Sequence, residues 1–121
     1  MPSEDQIIRL NGRLTFDPKD FEEVARICEI NATDARDHPG MIEYSFWVND
    51  GHDEIYIHEQ YESDEALVNH LGNMNEVAVT RLLELVQLGT MECAAQRTEK
   101  TAAALGAFGV PINFYEPLHR R

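Results

Sequence analysis

Two polar residues, His70 and Glu59, fall where the surrounding pattern is apolar and where their side chains could do chemistry. The predicted helix face that carries the histidine consists of Leu67, His70, Leu71 and Met74. That face should pack against the rest of the protein, so the imidazole is predicted to point inward. A neutral imidazole can take up a proton near neutral pH, which makes His70 a candidate catalytic base. The alternative is a structural histidine, hydrogen-bonded to a backbone carbonyl or to Glu59.

Glu59 shares its predicted strand face with Ile55, Ile57 and Tyr61. A carboxylate buried in such surroundings costs several kcal/mol unless it is paired or protonated. One interpretation is catalytic: Glu59 orients His70 and raises its basicity. The other is structural: Glu59 is a hydrogen-bonded acid of the core. The two interpretations are compatible.

Three aromatic residues would share one layer if the predicted hairpin aligns their faces: Tyr44, Phe46 and Tyr61. Their rings could form a wall that stacks a planar substrate. An aromatic stripe at strand spacing can equally be an ordinary part of the core. Trp47 falls on the opposite face of its strand, where it could pack in a subunit interface.

The first predicted strand has a polar face that carries Arg9, Asn11 and Arg13. Asn11 could bind a carbonyl or phenolic oxygen of a substrate, and either arginine could hold an oxyanion. A solvated face, or an interface between subunits, is the alternative interpretation of the same residues.

Other kinds of site find little support in the sequence. His58-Glu59 lacks a second histidine four residues further on, and His52 and His58 do not have a compact ligand spacing, so no metal site is predicted. No glycine-rich phosphate loop is present. Cys28 and Cys93 lie in apolar segments and are interpreted as reduced core thiols, which indicates a cytoplasmic protein.

The composition excludes several classes of partner. The chain has 121 residues, with 10 basic and 22 acidic side chains and a formal net charge of −12. Proteins that coat nucleic acid or bind anionic membranes need clustered lysine and arginine, so neither partner is expected. No transmembrane segment and no signal peptide are recognised. The length predicts a single domain over residues 1–121.

The elements that must position these residues alternate between strands and helices. Period-two patterns predict strands over residues 6–16, 41–49, 54–62, 90–98 and 110–118. Apolar spacing and caps predict helices over about residues 17–37, 63–72, 75–88 and 100–107, with Asp17 and Ser63 as caps. The order β-α-β-β-α-β, with an appended helix and strand, is typical of a ferredoxin-like α+β fold.

Four strands with helices on one side leave the second face of the sheet bare. Where such a face is apolar, a partner sheet is the usual cover. A symmetric homodimer is therefore expected.

One run of residues is more specific than the order of elements. A strand that ends Glu59-Gln60-Tyr61-Glu62 is followed by an acidic turn with Ser63 as the cap and by Ala66-Leu67-Val68-Asn69-His70. This run resembles the antibiotic biosynthesis monooxygenase family, whose members are small dimeric α+β barrels. The preceding Gly40-Met41-Ile42-Glu43-Tyr44 is similar to the Gly-x-x-x-Tyr strand of that family. The resemblance covers a core of about residues 6–98, and the extension over 99–121 resembles that of longer members regarded as candidate quinol monooxygenases.

The resemblance implies a monooxygenase that needs no cofactor: no metal, flavin or haem. Its substrates would be O2 and a small aromatic compound, either a quinol or a polycyclic phenol. Formation of the phenolate in a dry pocket would allow electron transfer to oxygen, recombination at a ring carbon and loss of water to give a quinone. The base would be His70, and its orienting group would be Glu59. The candidate substrate-binding residues are Tyr44, Phe46, Tyr61, Asn11 and Asn75.

Asn75 marks a departure from the family pattern. Members often carry a second histidine about five residues after the first, and an asparagine can hydrogen-bond a substrate oxygen but cannot act as a base. The departure favours an alternative to the monooxygenase, namely a non-catalytic dimeric barrel that binds a small apolar ligand. A third possible function is an isomerase- or decarboxylase-like use of the pocket. The resemblance also bears on haem degradation, because the haem-degrading branch of the family pairs a strand asparagine with a helix tryptophan and a helix histidine. This chain has no tryptophan at the position of His70 and no histidine in residues 71–90, so haem degradation is not expected.

Overall fold

The computed structural model describes residues 6–106 and 110–119 of the chain. These residues form a six-stranded sheet and four α-helices, which confirms the predicted α+β class. The strands are β1 (Ile8–Phe16), β2 (Met41–Val48), β3 (Glu54–Tyr61), β4 (Val86–Leu88), β5 (Met91–Ala94) and β6 (Ile112–Tyr115). The helices are α1 (Phe21–Ala35), preceded by a 3-10 turn over Pro18–Asp20, α2 (Asp64–Gly72), α3 (Glu76–Leu85) and α4 (Glu99–Gly106). None of these helices is long and apolar enough to cross a membrane.

Strand β1 lies at the centre of the sheet, in which the order is β2-β3-β1-β5-β6. It pairs antiparallel with β3 on one side and, on the other, with β5 near its start and β4 near its end. Strands β2 and β3 form the expected antiparallel hairpin, and β6 runs parallel to β5. The hairpin register places Tyr44 opposite Glu59 and Phe46 opposite Ile57, so these four side chains share one face of the sheet.

The helices cover that face, and the core lies between them and the sheet. Alternate residues of β1 are buried there: Ile8, Leu10, Leu14 and Phe16. Gly12 occupies the position between them, where a Cβ atom would lie 3.3 Å from Cε of Met91. The glycine therefore lets this methionine pack closely against the central strand.

The other face of the sheet, which we call the open face, is mostly polar. The residues on it include Arg9, Asn11, Arg13, Glu43, Ser45, His58 and Gln60. Trp47 also lies there and is 61% exposed, with its indole N–H donated to Ser45 Oγ at 2.9 Å. Cover by a partner is therefore expected for the region around Trp47 and not for the whole face.

Ser63 caps α2 as predicted, whereas Asp17 caps the 3-10 turn that precedes α1. The Asp17 carboxylate accepts the backbone N–H of Lys19 at 3.0 Å, and Ser63 Oγ accepts that of Ala66 at 3.3 Å. Each cap supplies an acceptor for a backbone donor that has no partner within its own helix.

The boundaries differ from the prediction mainly in the second half of the chain. Helix α3 ends at Leu85 and not near residue 88, because Val86–Leu88 form β4 and pair with the end of β1. Backbone pairing along the edge of β1 thus prevails over the helical spacing of this apolar segment. Strand β5 is shorter than the predicted 90–98, and the end of the predicted helix at residue 107 lies outside the described residues.

Candidate functional site

A cavity of about 260 Å³ lies between the covered face of the sheet and helices α1, α2 and α3. Most of its lining is apolar and includes Leu14, Ile57, Leu71, Met74, Leu82 and Met91. The polar side chains that line it are Asn31 from α1, Tyr44 from β2, Glu59 from β3 and His70 from α2. An apolar cavity with a few convergent polar groups is the usual form of a small-molecule site.

His70 lies in the wall of the cavity and is 2% exposed. Its Nδ1 atom is 2.7 Å from Nδ1 of His38, so one imidazole donates a hydrogen bond and the other accepts it. Burial, together with the neighbouring His38, lowers the pKa of His70 to about 4. The ring is therefore neutral at neutral pH, which is the protonation state that a base needs.

The second ring nitrogen of His70, Nε2, makes no hydrogen bond to a described residue. Every fully buried polar side-chain atom in the described part of the chain has a partner, so Nε2 is not fully buried. Because the cavity is the space that His70 lines, we infer that Nε2 faces it. A molecule held in the cavity would meet this nitrogen.

Glu59 is 5% exposed and accepts a hydrogen bond from the hydroxyl group of Tyr61. Burial raises the pKa of Glu59 to about 7, although the hydrogen bond from Tyr61 favours the ionised form. The predicted pairing of Glu59 with His70 is corrected by the structure, in which His70 bonds to His38 instead. The competing partner, His38, lies in the turn between α1 and β2. The spacing of residues along the chain did not reveal this contact. Glu59 and His70 nevertheless line the same cavity.

Tyr44 and Phe46 both line the cavity and contact each other edge to face, with ring centroids 5.1 Å apart. The ring of Tyr44 also lies 4.9 Å from that of His70. Burial and the negative charge of Glu59 raise the pKa of Tyr44 well above its ordinary value, so its hydroxyl group stays protonated. Tyr61 is fully buried and is not among the lining residues; its hydroxyl group holds Glu59.

Two predicted substrate ligands, Asn11 and Asn75, lie outside the cavity lining. Asn11 is on the open face, where its Oδ1 atom is 2.5 Å from Nδ1 of His58. Asn75 caps α3, and its Oδ1 accepts the backbone N–H of Ala78 at 3.0 Å. The structure therefore brings neither of them together with His70. An asparagine just before a helical pattern is a common cap, so the sequence already held this signal for Asn75.

Two residues that sequence reasoning missed, Asn31 and His38, belong to this region. Asn31 is 5% exposed and lines the cavity, and its side-chain amide makes no hydrogen bond to a described residue. It lies on the buried stripe of α1 with Ile27 and Ala35, and a polar residue at that spacing was the signal that could have found it. His38 follows the helix, where no periodic pattern marks it.

A second hollow of about 310 Å³ lies along α1 and β2 and shares Tyr44 and Phe46 with the cavity. It contains the Cys28 thiol, whose pKa is raised by burial to about 12. Burial likewise raises the pKa of Cys93 to about 11, so both thiols are protonated and poor nucleophiles. Within residues 6–106 and 110–119, no group of three or more histidine, cysteine or acidic side chains could hold a metal ion.

The fold is similar to that of several solved structures. MupZ from Pseudomonas fluorescens is 19% identical, with coverage of 96% of this chain and 95% of that chain and a TM-score of 0.74. A conserved protein of unknown function from Bacteroides thetaiotaomicron, described as a possible oxidoreductase, is 20% identical over 74% of this chain and 96% of that chain, with a TM-score of 0.65. A candidate antibiotic biosynthesis monooxygenase from Chloroflexus aurantiacus is 19% identical over 76% of this chain and 94% of that chain, with a TM-score of 0.62. At these identities the likeness shows the ferredoxin-like fold alone.

The family comparison is more specific than the fold. None of the functionally curated proteins matches the chain. The model of the antibiotic biosynthesis monooxygenase family matches residues 7–75, which is more than half of the 121 residues. The matched segment runs from β1 through α2 and includes all four polar side chains of the cavity. The chain therefore belongs to the antibiotic biosynthesis monooxygenase family.

Proposed function

We propose that the protein is a cofactor-independent monooxygenase that oxidises a quinol or a polycyclic phenol to a quinone with O2, in the cavity beside His70. Membership of the family supports a monooxygenase-like function in general terms. The finer proposal is carried by one observation, the neutral imidazole of His70 in the wall of an apolar cavity, with no hydrogen bond from Nε2 to a described residue. A ring nitrogen in that state can accept the proton of a bound hydroxyl group.

The size and lining of the cavity favour a compact, flat substrate. Its volume of about 260 Å³ is slightly below the range of roughly 300–1,000 Å³ that is common for ligand pockets. Tyr44 and Phe46 offer aromatic surface against which a ring could pack. A small aromatic molecule with one or two hydroxyl groups meets both conditions.

Three polar groups have separate roles in the proposed reaction. His70 takes the hydroxyl proton at Nε2. The amide of Asn31, which has no hydrogen-bond partner among the described residues, donates a hydrogen bond to the phenolate oxygen, the role that the sequence predicts for Asn11 and Asn75. Glu59, whose pKa is about 7, is present in both protonation states near neutral pH and can give a proton to an oxygenated intermediate.

The proposed reaction needs no reductant other than the substrate. The phenolate gives one electron to O2, and the two radicals couple at a ring carbon to form a C–O bond. The peroxide takes up a proton; the O–O bond then breaks, the ring carbon loses its hydrogen, and water leaves. One phenol and one O2 thus give one quinone and one water. The apolar lining excludes water from the peroxide.

We further propose that the protein is a cytoplasmic homodimer with one domain per chain, in which two sheets form an α+β barrel. The exposed Trp47 on the open face is an apolar side chain that a second sheet could cover. Both cysteines are free and buried, which suits a reducing compartment. Light scattering that finds a stable monomer at micromolar concentration would contradict the dimer.

Oxygen consumption tests the proposed activity. The metal-free protein would be given a panel of hydroquinones and anthrone-like phenols, next to His70→Ala and His70→Gln. We expect uptake well above autoxidation in the wild type and a loss of about 10²- to 10⁴-fold in both variants. His58→Ala is the matched control, because it removes an imidazole from the open face.

Each unexpected result has a separate meaning. No uptake above autoxidation over the whole panel would contradict the oxygenase, and tight binding of the same phenols would then support the ligand-binding barrel. Uptake that persists in both His70 variants would remove that residue from the mechanism.

A further inference from the structure

The hydrogen bond between His70 and His38 connects the cavity to the protein surface. His70 lines the cavity, whereas His38 lines a separate polar depression together with Asp34, Asp37 and Asn69. A contact of 2.7 Å between the two Nδ1 atoms joins these spaces.

The backbone holds His38 in place for this contact. Its N–H donates to the carbonyl oxygen of Ala35 at 3.0 Å, in the turn that follows α1. Gly40 then brings the turn against α2: its φ is +76°, and a Cβ atom there would lie 2.5 Å from Cβ of Ala66. Only glycine allows both the conformation and the approach. Because α2 carries Ala66 and His70, this packing sets the distance between the two imidazoles.

We propose that His38 is a positioning residue that acts through His70 as its proton partner, so that the cavity exchanges protons with solvent across the pair. When Nε2 of His70 takes a proton from the substrate, Nδ1–H of His70 passes its proton to Nδ1 of His38. Nε2–H of His38 then releases a proton to water in the depression. One proton enters at the cavity and one leaves at the surface, and both rings end neutral. The reverse transfer prepares His70 to return a proton.

This inference rests on the proposed function, because it names the route of the proton that His70 takes. Burial supplies the reason for a partner, since it lowers the pKa of His70 to about 4 and makes a cation there costly. Loss of the Nδ1 proton as Nε2 gains one avoids forming that cation. The ionisable groups that face the pair are Tyr44, Tyr61 and Glu59 on the cavity side and Asp34 and Asp37 in the depression.

The probe for this relay is 4-nitrophenol, whose phenolate absorbs visible light. Phenolate formation on the full-length protein would be followed by stopped-flow absorbance after a rapid rise in pH. We expect the wild type to ionise the bound phenol quickly. His38→Ala should slow this ionisation by roughly tenfold or more, and added imidazole should restore the rate.

A second variant separates proton transfer from simple orientation. His38→Gln keeps an acceptor for Nδ1–H of His70 but cannot carry a proton onward, so it should show the same loss as His38→Ala. His58→Ala, on the open face, should behave like the wild type.

Three results would decide whether His38 relays protons or only orients His70. A His38→Gln variant that matches the wild type would overturn the relay and leave His38 as a hydrogen-bond partner only. A wild type in which the bound phenol ionises no faster than in His38→Ala would overturn it as well. Ionisation that depends on His38, without any oxygen consumption, would support the relay while contradicting the oxygenase.

Discussion

The two faces of strand β3 carry the same kinds of side chain in opposite surroundings. His58 and Glu59 are consecutive, yet His58 lies on the open face and Glu59 lines the cavity. On the open face, Nε2 of His58 is 4.0 Å from Oε1 of Glu43, and these side chains are 27% and 43% exposed. In the cavity, Glu59 and His70 are only 5% and 2% exposed.

Burial, and not residue type, makes a histidine and a carboxylate chemically useful here. Burial raises the pKa of Glu59 to about 7 and lowers that of His70 to about 4, whereas an exposed ion pair contributes little. The hydrogen bonds differ as well. His58 can only donate from Nδ1 to the amide oxygen of Asn11, but His38 and His70 can exchange the roles of donor and acceptor.

The pH dependence of stability should separate the two faces most strongly. Between pH 4.5 and 7, Glu59 ionises in the unfolded chain before it does in the folded protein, so its contribution to the free energy of unfolding falls as pH rises, by roughly 3 kcal/mol. Between pH 4 and 6.5, the unfolded chain holds the His70 proton more tightly, so the histidine contribution rises with pH by a similar amount. The two contributions oppose each other in the wild type.

Glu59→Gln should remove the glutamate contribution to the free energy of unfolding, so that the contribution of His70 is no longer opposed. Its free energy of unfolding, measured by urea denaturation at several pH values, should rise more steeply between pH 4 and 6.5 than that of the wild type. Glu43→Gln, on the open face, is the exposed control. Parallel curves for Glu59→Gln and the wild type would show that burial does not shift the ionisation of Glu59.

The hydroxyl group of Tyr61 should have the second-largest effect. Tyr61→Phe leaves the buried Glu59 carboxyl group without its donor, which should lower the free energy of unfolding by about 1–3 kcal/mol. Ser45→Ala removes a hydroxyl group that bonds to Glu43 and Trp47 on the open face, and should cost less than about 0.5 kcal/mol. Urea denaturation of both variants gives the comparison, and equal losses would argue against a role for burial.

Asn11→Ala should have the smallest effect on the reaction. Its lost hydrogen bond to His58 should cost about 0.5–1.5 kcal/mol of stability, while KM and kcat for a phenol substrate stay unchanged. Steady-state oxygen uptake measures this, with Asn31→Ala as the variant that should lose activity. A raised KM in Asn11→Ala alone would return Asn11 to the substrate site and weaken the distinction between the faces.

Much of the fold could be predicted because its signals are local. The caps at Asp17 and Ser63 and the alternation of β1 each depend on residues a few positions apart. The segment Val86–Leu88 could not be predicted in this way, because its partner is β1, far away in the sequence. There the helical spacing of the apolar residues was a misleading signal.

The site could be predicted in part, for the same reason. His70 and Glu59 stand out in the sequence as polar residues in apolar patterns, and Tyr44 and Phe46 as an aromatic stripe; all four line the cavity. Asn11 lies on the polar face of β1, as its spacing predicts, but that face is the open face and does not border the cavity. Their catalytic roles stay predictions.

The sequence by itself determined which side chains are buried, and through this the order of strands and helices, because an apolar period is a property of neighbouring residues. The tertiary structure alone decided which polar groups meet. His38 and His70 are 32 positions apart, and their contact depends on the close packing of Gly40 against Ala66. Chain spacing does not set the distance between elements, whereas a hydrogen bond needs its two heavy atoms within about 3 Å of each other.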